Sequence, residues 1–255
     1  MIRVIVAGGC GRMAGEVARL VSEAEDMELA GIVERKDHPQ IGRSRYGVEI
    51  TADIGSLLEE TDAVVEFTSP SGLLEILEVI KGSSIHLVSG TTGLSDAEFE
   101  RLKESARERA ILWSPNMSVG VNLLFKLAAE ATKALPDYDT EIVEMHHRHK
   151  KDAPSGTAKK LAEIVKEHRK ISRIIYGREG HTGERASDEL AVLALRGGDV
   201  AGEHTIYFAT EGERLELTHR ASSRLAFAKG TLKAIRFIAL KPRGFYQFAD
   251  ILEEG

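Results

Sequence analysis

The stretch Ile2-Arg3-Val4-Ile5-Val6-Ala7-Gly8-Gly9-Cys10-Gly11-Arg12-Met13-Ala14 decides the fold. Its β-branched beginning predicts a strand and its glycines a turn. Val17, Leu20, Val21 and Ala24 then recur at helical spacing. Strand, glycine turn and helix, in that order, open a nucleotide-binding βαβ unit. Gly8 makes the tight turn, Gly11 lets backbone approach a pyrophosphate, and Ala14 permits close helix–strand packing. The spacing is Gly-x-x-Gly-x-x-Ala rather than Gly-x-Gly-x-x-Gly, so the flanking strand and helix carry more weight than the glycines.

The pattern continues outward. A second strand is expected over Met27–Val33, with Glu34 at its carboxyl end, where a carboxylate reads the adenosine ribose of NAD. Arg35 follows, and a guanidinium there suits the 2′-phosphate of NADP. Both NADH and NADPH are therefore expected to serve. Further strands are expected at Ala63–Phe67, Ile85–Val88 and Ile111–Trp113, separated by helical patterns at Leu73–Ile80 and around Phe99, Leu102 and Ala106. Ser95-Asp96-Ala97-Glu98 reads as a capping box. The loops Thr68-Ser69-Pro70, Gly90-Thr91-Thr92-Gly93 and Ser114-Pro115-Asn116-Met117 then fall at strand carboxyl ends, where open parallel sheets bind ligands. Turn chemistry alone also accounts for any one of these loops.

From Ser118 the pattern changes. One helical stretch (Val121, Leu124, Phe125, Ala128) precedes strand-like runs at Thr140–Met145, Leu190–Arg196, His204–Thr210 and Arg214–Thr218, and a helix is expected over Ala158–Val165. Clustered strands imply an α+β region with a mostly antiparallel or mixed sheet. Leu225–Leu240 is helical again and is expected to return to the first domain. The expected fold class is α/β: a Rossmann-like dinucleotide-binding domain from residues 1–117 and 225–255, and a substrate and oligomerisation domain from 118–224.

Within that second region, Glu144-Met145-His146-His147-Arg148-His149-Lys150-Lys151-Asp152-Ala153-Pro154-Ser155-Gly156-Thr157-Ala158 packs three imidazoles, an arginine and two lysines together in a chain of net charge -6. Ser155 or Thr157 is placed to cap the following helix. A helix start beside cations reads as a pocket for a carboxylate or phosphate, and the imidazoles and an ammonium can move protons. Two plainer readings compete: a solvated basic face, and a histidine metal cluster. Arg and Lys would repel a cation and no Cys is near, so no metal is expected. If His146 to Lys150 were fully extended, their Cα atoms would lie ~13 Å apart at about 3.3 Å per residue. Convergence of the two therefore needs a turn or a substrate that spans them.

Composition sets outer bounds. At 42% hydrophobic and 29% charged, the chain reads as an ordinary soluble globular protein. No apolar run approaches the ~20 residues of a membrane span, and the early first strand leaves no room for a signal peptide. A lone Cys10 fits a reducing, cytoplasmic setting. Net acidity argues against nucleic acid as a partner.

Together these residues resemble the dihydrodipicolinate reductase family, also called 4-hydroxy-tetrahydrodipicolinate reductases, nearly end to end. The landmarks are Gly8–Met13, Glu66-Phe67-Thr68-x-Pro70, Gly90–Gly93, Asn116–Asn122 and the long His-His to Ser-Gly-Thr-Ala motif. Arg196–His204 and His219–Arg224 extend them toward the C-terminus. The resemblance implies NADH- or NADPH-dependent reduction of a six-membered cyclic imine dicarboxylate, formed from 4-hydroxy-tetrahydrodipicolinate by loss of water, in lysine and diaminopimelate biosynthesis. It implies catalytic roles for His146 and Lys150, and substrate carboxylate contacts from His147, Gly156 and Thr157. It implies cofactor contacts from Gly8, Gly9, Cys10, Gly11, Arg12, Met13, Glu34, Arg35, Gly90, Thr91, Thr92, Ser114, Pro115, Asn116 and Met117, and assembly as a homotetramer. Glu66 stands where the family commonly has Asp, Ala14 replaces Gly, and Met117 stands where Phe is frequent. Two rival readings are a different two-domain nicotinamide dehydrogenase and a non-enzymatic NAD(P)H sensor.

Overall fold

Strand β1 (Ile2–Ala7) is apolar on both sides, and Val4, Ile5 and Val6 are wholly buried. That is the mark of a central parallel strand covered on both faces. The computed structural model describes residues 1–254 and places β1 in one of two compact units, which comprises Met1–Val119 and the chain from Leu225 onward. After β1 come α1 (Ala14–Glu23), β2 (Met27–Val33), a short hairpin of β3 (Ser44–Arg45) and β4 (Val48–Thr51), and a 3₁₀ turn at Gly55–Glu60. Then follow β5 (Ala63–Glu66), α2 (Pro70–Val79), β6 (His86–Ser89), α3 (Asp96–Ser105) and β7 (Ala110–Trp113).

The second unit, Gly120–Arg224, holds most of α4 (Val119–Ala134), then β8 (Asp139–His146), α5 (Gly156–His168) and β9 (Arg173–Ile175). It continues through β10 (Glu189–Arg196), β11 (Gly202–Thr210) and β12 (Glu213–Ala221). The chain then rejoins the first unit as α6 (Leu225–Ile238), β13 (Gly244–Gln247) and α7 (Phe248–Glu253).

The first unit's sheet has the order β13-β7-β6-β5-β1-β2-β4-β3 and is parallel except for the β3–β4 hairpin. The period of two along β1 sorts its side chains: Val4 and Val6 join the core with α1 and α6 (Val17, Val21, Ile235), while Ile5 and Ala7 join the one with α2 and α3 (Leu73, Ile76, Leu102). Each such wholly buried Val, Leu or Ile contributes ~1.5–3 kcal/mol of hydrophobic stabilisation. The capping box predicted at Ser95 is present in both halves. The hairpin, β13 and α7 are too short for a periodic signal and were not foreseen.

The second unit's sheet, ordered β12-β11-β8-β10-β9, is mixed. β8–β10 and β10–β9 pair parallel; β11 pairs antiparallel with both β8 and β12. Along β8 the residues Thr140, Ile142, Glu144 and His146 share the buried face. Ile142 packs with Ile206, Phe208 and Val192 against Leu161 and Val165 of α5 and Leu124 and Ala128 of α4. The same face therefore passes from an apolar core to a carboxylate and an imidazole within four residues.

Candidate active site

In the first unit, the glycine turn has the geometry its sequence implies. Gly8 lies at φ +75°, and a Cβ on it would come within 2.9 Å of the Phe67 carbonyl oxygen. Gly11 donates its N–H to the Gly8 carbonyl at 2.8 Å, and a Cβ on Gly11 would crowd that same oxygen. Close packing on β2 falls to Gly9, where a Cβ would meet Ile32 at 2.7 Å. Ala14 and Gly15 are buried at the start of α1, Met13 is half-buried, and Arg12 is exposed. Glu34 accepts the Cys10 N–H at 2.9 Å, so it braces the turn from the end of β2. Arg35 is largely exposed beside Asp37. Arg45, on the hairpin, donates to the Gly9 carbonyl at 3.3 Å and adds a guanidinium that periodicity could not place here. Gly8, Cys10, Gly11, Glu34, Arg35 and Thr68 line a cavity of about 970 Å³. A turn held clear of side chains, a carboxylate and a cavity of this size fit the adenosine and pyrophosphate of a dinucleotide.

The loops after β5 and β6 are tied by Glu66, which is wholly buried. Its Oε2 accepts the Thr68 N–H at 3.0 Å, the Thr68 hydroxyl at 2.7 Å and the Thr91 hydroxyl at 2.7 Å; its Oε1 accepts the Ser89 hydroxyl. Gly90 must lack a side chain, because a Cβ would come 2.2 Å from the Phe67 ring. Thr91 is buried and its carbonyl accepts the Trp113 indole N–H at 2.9 Å, whereas Thr92 is exposed. After β7, Ser114 and Asn116 hydrogen-bond within their own loop, and Asn116 Oδ1 accepts the Ser118 N–H at 2.9 Å. Pro115 is exposed. Met117 is buried in the core with Ala228 and Phe248, and its carbonyl oxygen packs against Gly230 of α6.

In the second unit, β8 ends on His146, and Lys150 donates its N–H to the His147 carbonyl at 3.1 Å. The chain therefore turns between His147 and Lys150 instead of running on extended from the strand. Glu144, two residues before His146 on the same face, is wholly buried. Its Oε2 lies 2.5 Å from His146 Nδ1. Arg196 donates to both of its oxygens at 3.0 Å, and the Ser155 N–H donates to Oε1 at 3.1 Å. Burial alone would push the Glu144 carboxyl up, but the bonds from His146 and Arg196, the His146 charge and the Ser155 amide bring it down to about 2. Arg196 also donates to the Asp152 carbonyl at 2.7 Å, which fastens the loop after the turn to the strand.

Lys150 pairs with Asp152 at 2.8 Å. Partial burial raises the Asp152 carboxyl, and the Lys150 ammonium more than reverses this. Ser155, not Thr157, caps α5: its Oγ accepts the Ala158 N–H at 3.2 Å and sits 3.0 Å from His204 Nε2. Gly156 and Thr157 form the first turn, where the helix presents its positive end. His147 is half-buried and donates its backbone N–H to Val200. Burial, reinforced by the neighbouring His146, drives the His204 imidazole down to about 3 and keeps it neutral. Arg148, His149 and Lys151 are exposed, so half of the cationic run is indeed a solvated face.

Glu144, His146 and His204 have ligand atoms within 4.8 Å of one another, as do Cys10, Glu34 and His38. A cation at Glu144 would have to displace the Arg196 fork, and at Cys10 it would lie beside Arg45, which acts on that thiol. Sequence reading missed Glu144, Arg196 and His204 as partners of His146. Glu144 was legible in principle from the period of two. The other two are brought in by the pairings Ala194↔Glu144 and Arg196↔His146, and His204↔Glu144.

Comparison with known proteins now meets this geometry. Residues 2–117 match the profile for dihydrodipicolinate reductase, N-terminus, and residues 120–252 that for its C-terminus. The 4-hydroxy-tetrahydrodipicolinate reductase of Nitrosomonas eutropha is 45% identical over 263 residues, covering 99% of this chain and 98% of that protein. The enzyme of the same name from Methanocaldococcus jannaschii is 44% identical over 267 residues, covering 99% and 97%. Among solved structures, dipicolinate-bound dihydrodipicolinate reductase from Paenisporosarcina sp. TG-14 superimposes with a TM-score of 0.81 at 27% identity, covering 97% of each chain. The parallel sheet with its glycine turn and the mixed sheet with its histidine motif are thus matched together and over the whole length: the chain belongs to the dihydrodipicolinate reductase family.

Proposed function

We propose that this protein reduces the cyclic imine dicarboxylate derived from 4-hydroxy-tetrahydrodipicolinate to tetrahydrodipicolinate, using NADH or NADPH, in lysine and diaminopimelate biosynthesis. The observation that carries this reading is the end-to-end match, through both units, to enzymes bearing that name.

The reduced nicotinamide, when bound, supplies the hydride. The chain's own residues do the rest. Gly8, Gly9, Cys10, Gly11, Arg12 and Met13 offer backbone to the pyrophosphate, and Glu34 reads the ribose. Arg35 meets a 2′-phosphate. Gly90, Thr91, Thr92, Ser114, Pro115, Asn116 and Met117 bound the nicotinamide half. His147 and the Gly156-Thr157 helix start take the substrate carboxylates, a role that suits cations and a helix N-terminus. Negative charge built on the conjugated imine is stabilised by the cationic loop and discharged by a proton from Lys150 or His146. The substrate is a small dicarboxylate. The protein acts in the cytoplasm as a homotetramer built on the second unit's sheet, with residues 1–117 and 225–255 serving the cofactor and 118–224 the substrate.

The test is a coupled assay in which the unstable substrate is generated in situ and the loss of NADH or NADPH absorbance is followed. Steady turnover is expected with both cofactors. Cofactor binding without turnover would leave a sensor, and turnover only with unrelated aldehydes or sugars would leave a different dehydrogenase.

A further inference from the structure

His146 has two ring nitrogens, and which one holds the proton decides whether the resting imidazole gives a proton or takes one. The surroundings of Nδ1 are unambiguous. Glu144 Oε2 lies 2.5 Å away, on a carboxylate that is wholly buried and accepts two bonds from Arg196 and one from the Ser155 amide. A carboxylate that already takes three donated bonds only accepts, so the hydrogen between it and the ring belongs to Nδ1. Nε2 points the other way. A Cβ on Gly202 would stand 3.0 Å from it, so glycine there leaves this nitrogen uncovered, and the side chain keeps about a tenth of its surface exposed.

We propose that Glu144, held by Arg196 and the Ser155 amide, is a positioning residue that keeps the His146 proton on Nδ1 and leaves the Nε2 lone pair open. This rests on the reading of His146 as one of the proton-transfer pair. The charges agree with it. Glu144 and Arg196 cancel, and His204, packed edge-on to His146 at 5.1 Å between ring centroids, stays neutral. A proton gained at Nε2 makes an imidazolium whose Nδ1–H remains on Glu144, which is a stabilised charge rather than an isolated one. Lys150 is paired to Asp152 at 2.8 Å.

The experiment is two-bond ¹H–¹⁵N correlation on the full chain labelled at histidine, with His146 assigned by the signal lost in His146→Gln. The native protein should show Nδ1 protonated and Nε2 bare. In Glu144→Gln, an amide oxygen at the Oε1 position keeps the bonds from Arg196 Nη2 and the Ser155 amide, while the NH₂ at the Oε2 position gives up the bond from Arg196 Nη1 and faces Nδ1 as a donor. The proton must then move to Nε2. With it, kcat should fall at least ~10²-fold, the scale of one general acid–base group, while NADH binding stays unchanged. Glu144→Asp, which retains the charge, should recover most of that loss and the Nδ1–H pattern. A native spectrum with Nε2 protonated overturns the proposal, as does Glu144→Gln with Nδ1 still protonated and native kcat. Native kcat in His146→Gln would instead overturn the underlying assignment of His146.

Discussion

Glu66 is the residue through which stability and cofactor binding should be most sharply coupled, and the hydrogen-bond pattern says how much each substitution costs. Replacement by Ala removes an acceptor of four donated bonds. Two donors have somewhere to turn: the Thr68 N–H already lies 3.2 Å from Thr91 Oγ1, and the Thr68 hydroxyl 3.4 Å from the Ser69 carbonyl. The Ser89 and Thr91 hydroxyls are left without an acceptor at a site with almost no solvent. At ~1–3 kcal/mol for each stranded buried group, Glu66→Ala should cost about 3–4 kcal/mol. Glu66→Gln should be milder. Its carbonyl can take the Oε2 place and keep three donors, and its NH₂ can donate to Ser89, whose hydroxyl accepts as readily as it donates. What is lost is the charge assistance and the acceptor of the Ser89 O–H, about 1–2 kcal/mol, against two stranded hydroxyls in Ala. The sole tryptophan, Trp113, donates to the Thr91 carbonyl and so reports on this loop directly. Urea unfolding followed by its fluorescence should rank native, Gln and Ala in that order, with the KM for NADH rising clearly only for Ala. Equal destabilisation by Gln and Ala, or a loss under ~0.5 kcal/mol for Ala, would refute the reasoning.

Three further outcomes are expected. Lys150→Ala should lower kcat at least ~10²-fold with NADH affinity retained in a binding titration, and native turnover would remove Lys150 from the proton transfer. Arg35→Ala should raise the KM for NADPH and leave that for NADH alone; an equal change in both would mean that the guanidinium never meets the 2′-phosphate. His204 titrates near 3 in the fold against an ordinary value of 6.5, so the unfolded chain takes up the proton first. Its stabilising effect is complete above about pH 6.5 and fades as pH falls toward 3. Between pH 7 and pH 5, a range chosen to stay above the Glu144 transition, the native protein should lose about 2 kcal/mol more than His204→Leu in matched urea titrations. Parallel losses in the two would show that His204 is not buried as a neutral ring.

How much of this could be read in advance differs by element, for physical reasons. β1, the glycine turn and α1 were legible because this parallel central strand is apolar from Val4 to Ala7 and its following helix repeats at 3.6 residues, both local signals. The β3–β4 hairpin and β13 were not, since two to four residues give no period to detect, and it is the hairpin that carries Arg45 onto the turn. The histidine motif was visible as composition but not as chemistry. Its members divide by exposure: His146 is inward and Lys150 half-covered, while Arg148, His149 and Lys151 stay in water.

That division has one cause. β8 carries its buried face to its last residue, and the chain then turns sharply, so only residues on the strand's inner period or folded back by the turn leave solvent. What makes the inner pair chemically useful is supplied from elsewhere in the sequence, by Arg196 at 52 residues' distance from Glu144 and by His204 at 49 from Ser155. A buried carboxylate beside an imidazole would by itself be expensive. The mixed order of the sheet resolves this. A parallel neighbour brings its arginine-bearing end level with His146, and an antiparallel neighbour brings a histidine level with Glu144. An all-antiparallel sheet would reverse the strand now carrying Arg196 and set that end against the opposite end of β8. Strand direction, which no local pattern encodes, therefore decides whether Glu144 finds its counter-charge. It is at this point that the fold determines the chemistry of the motif.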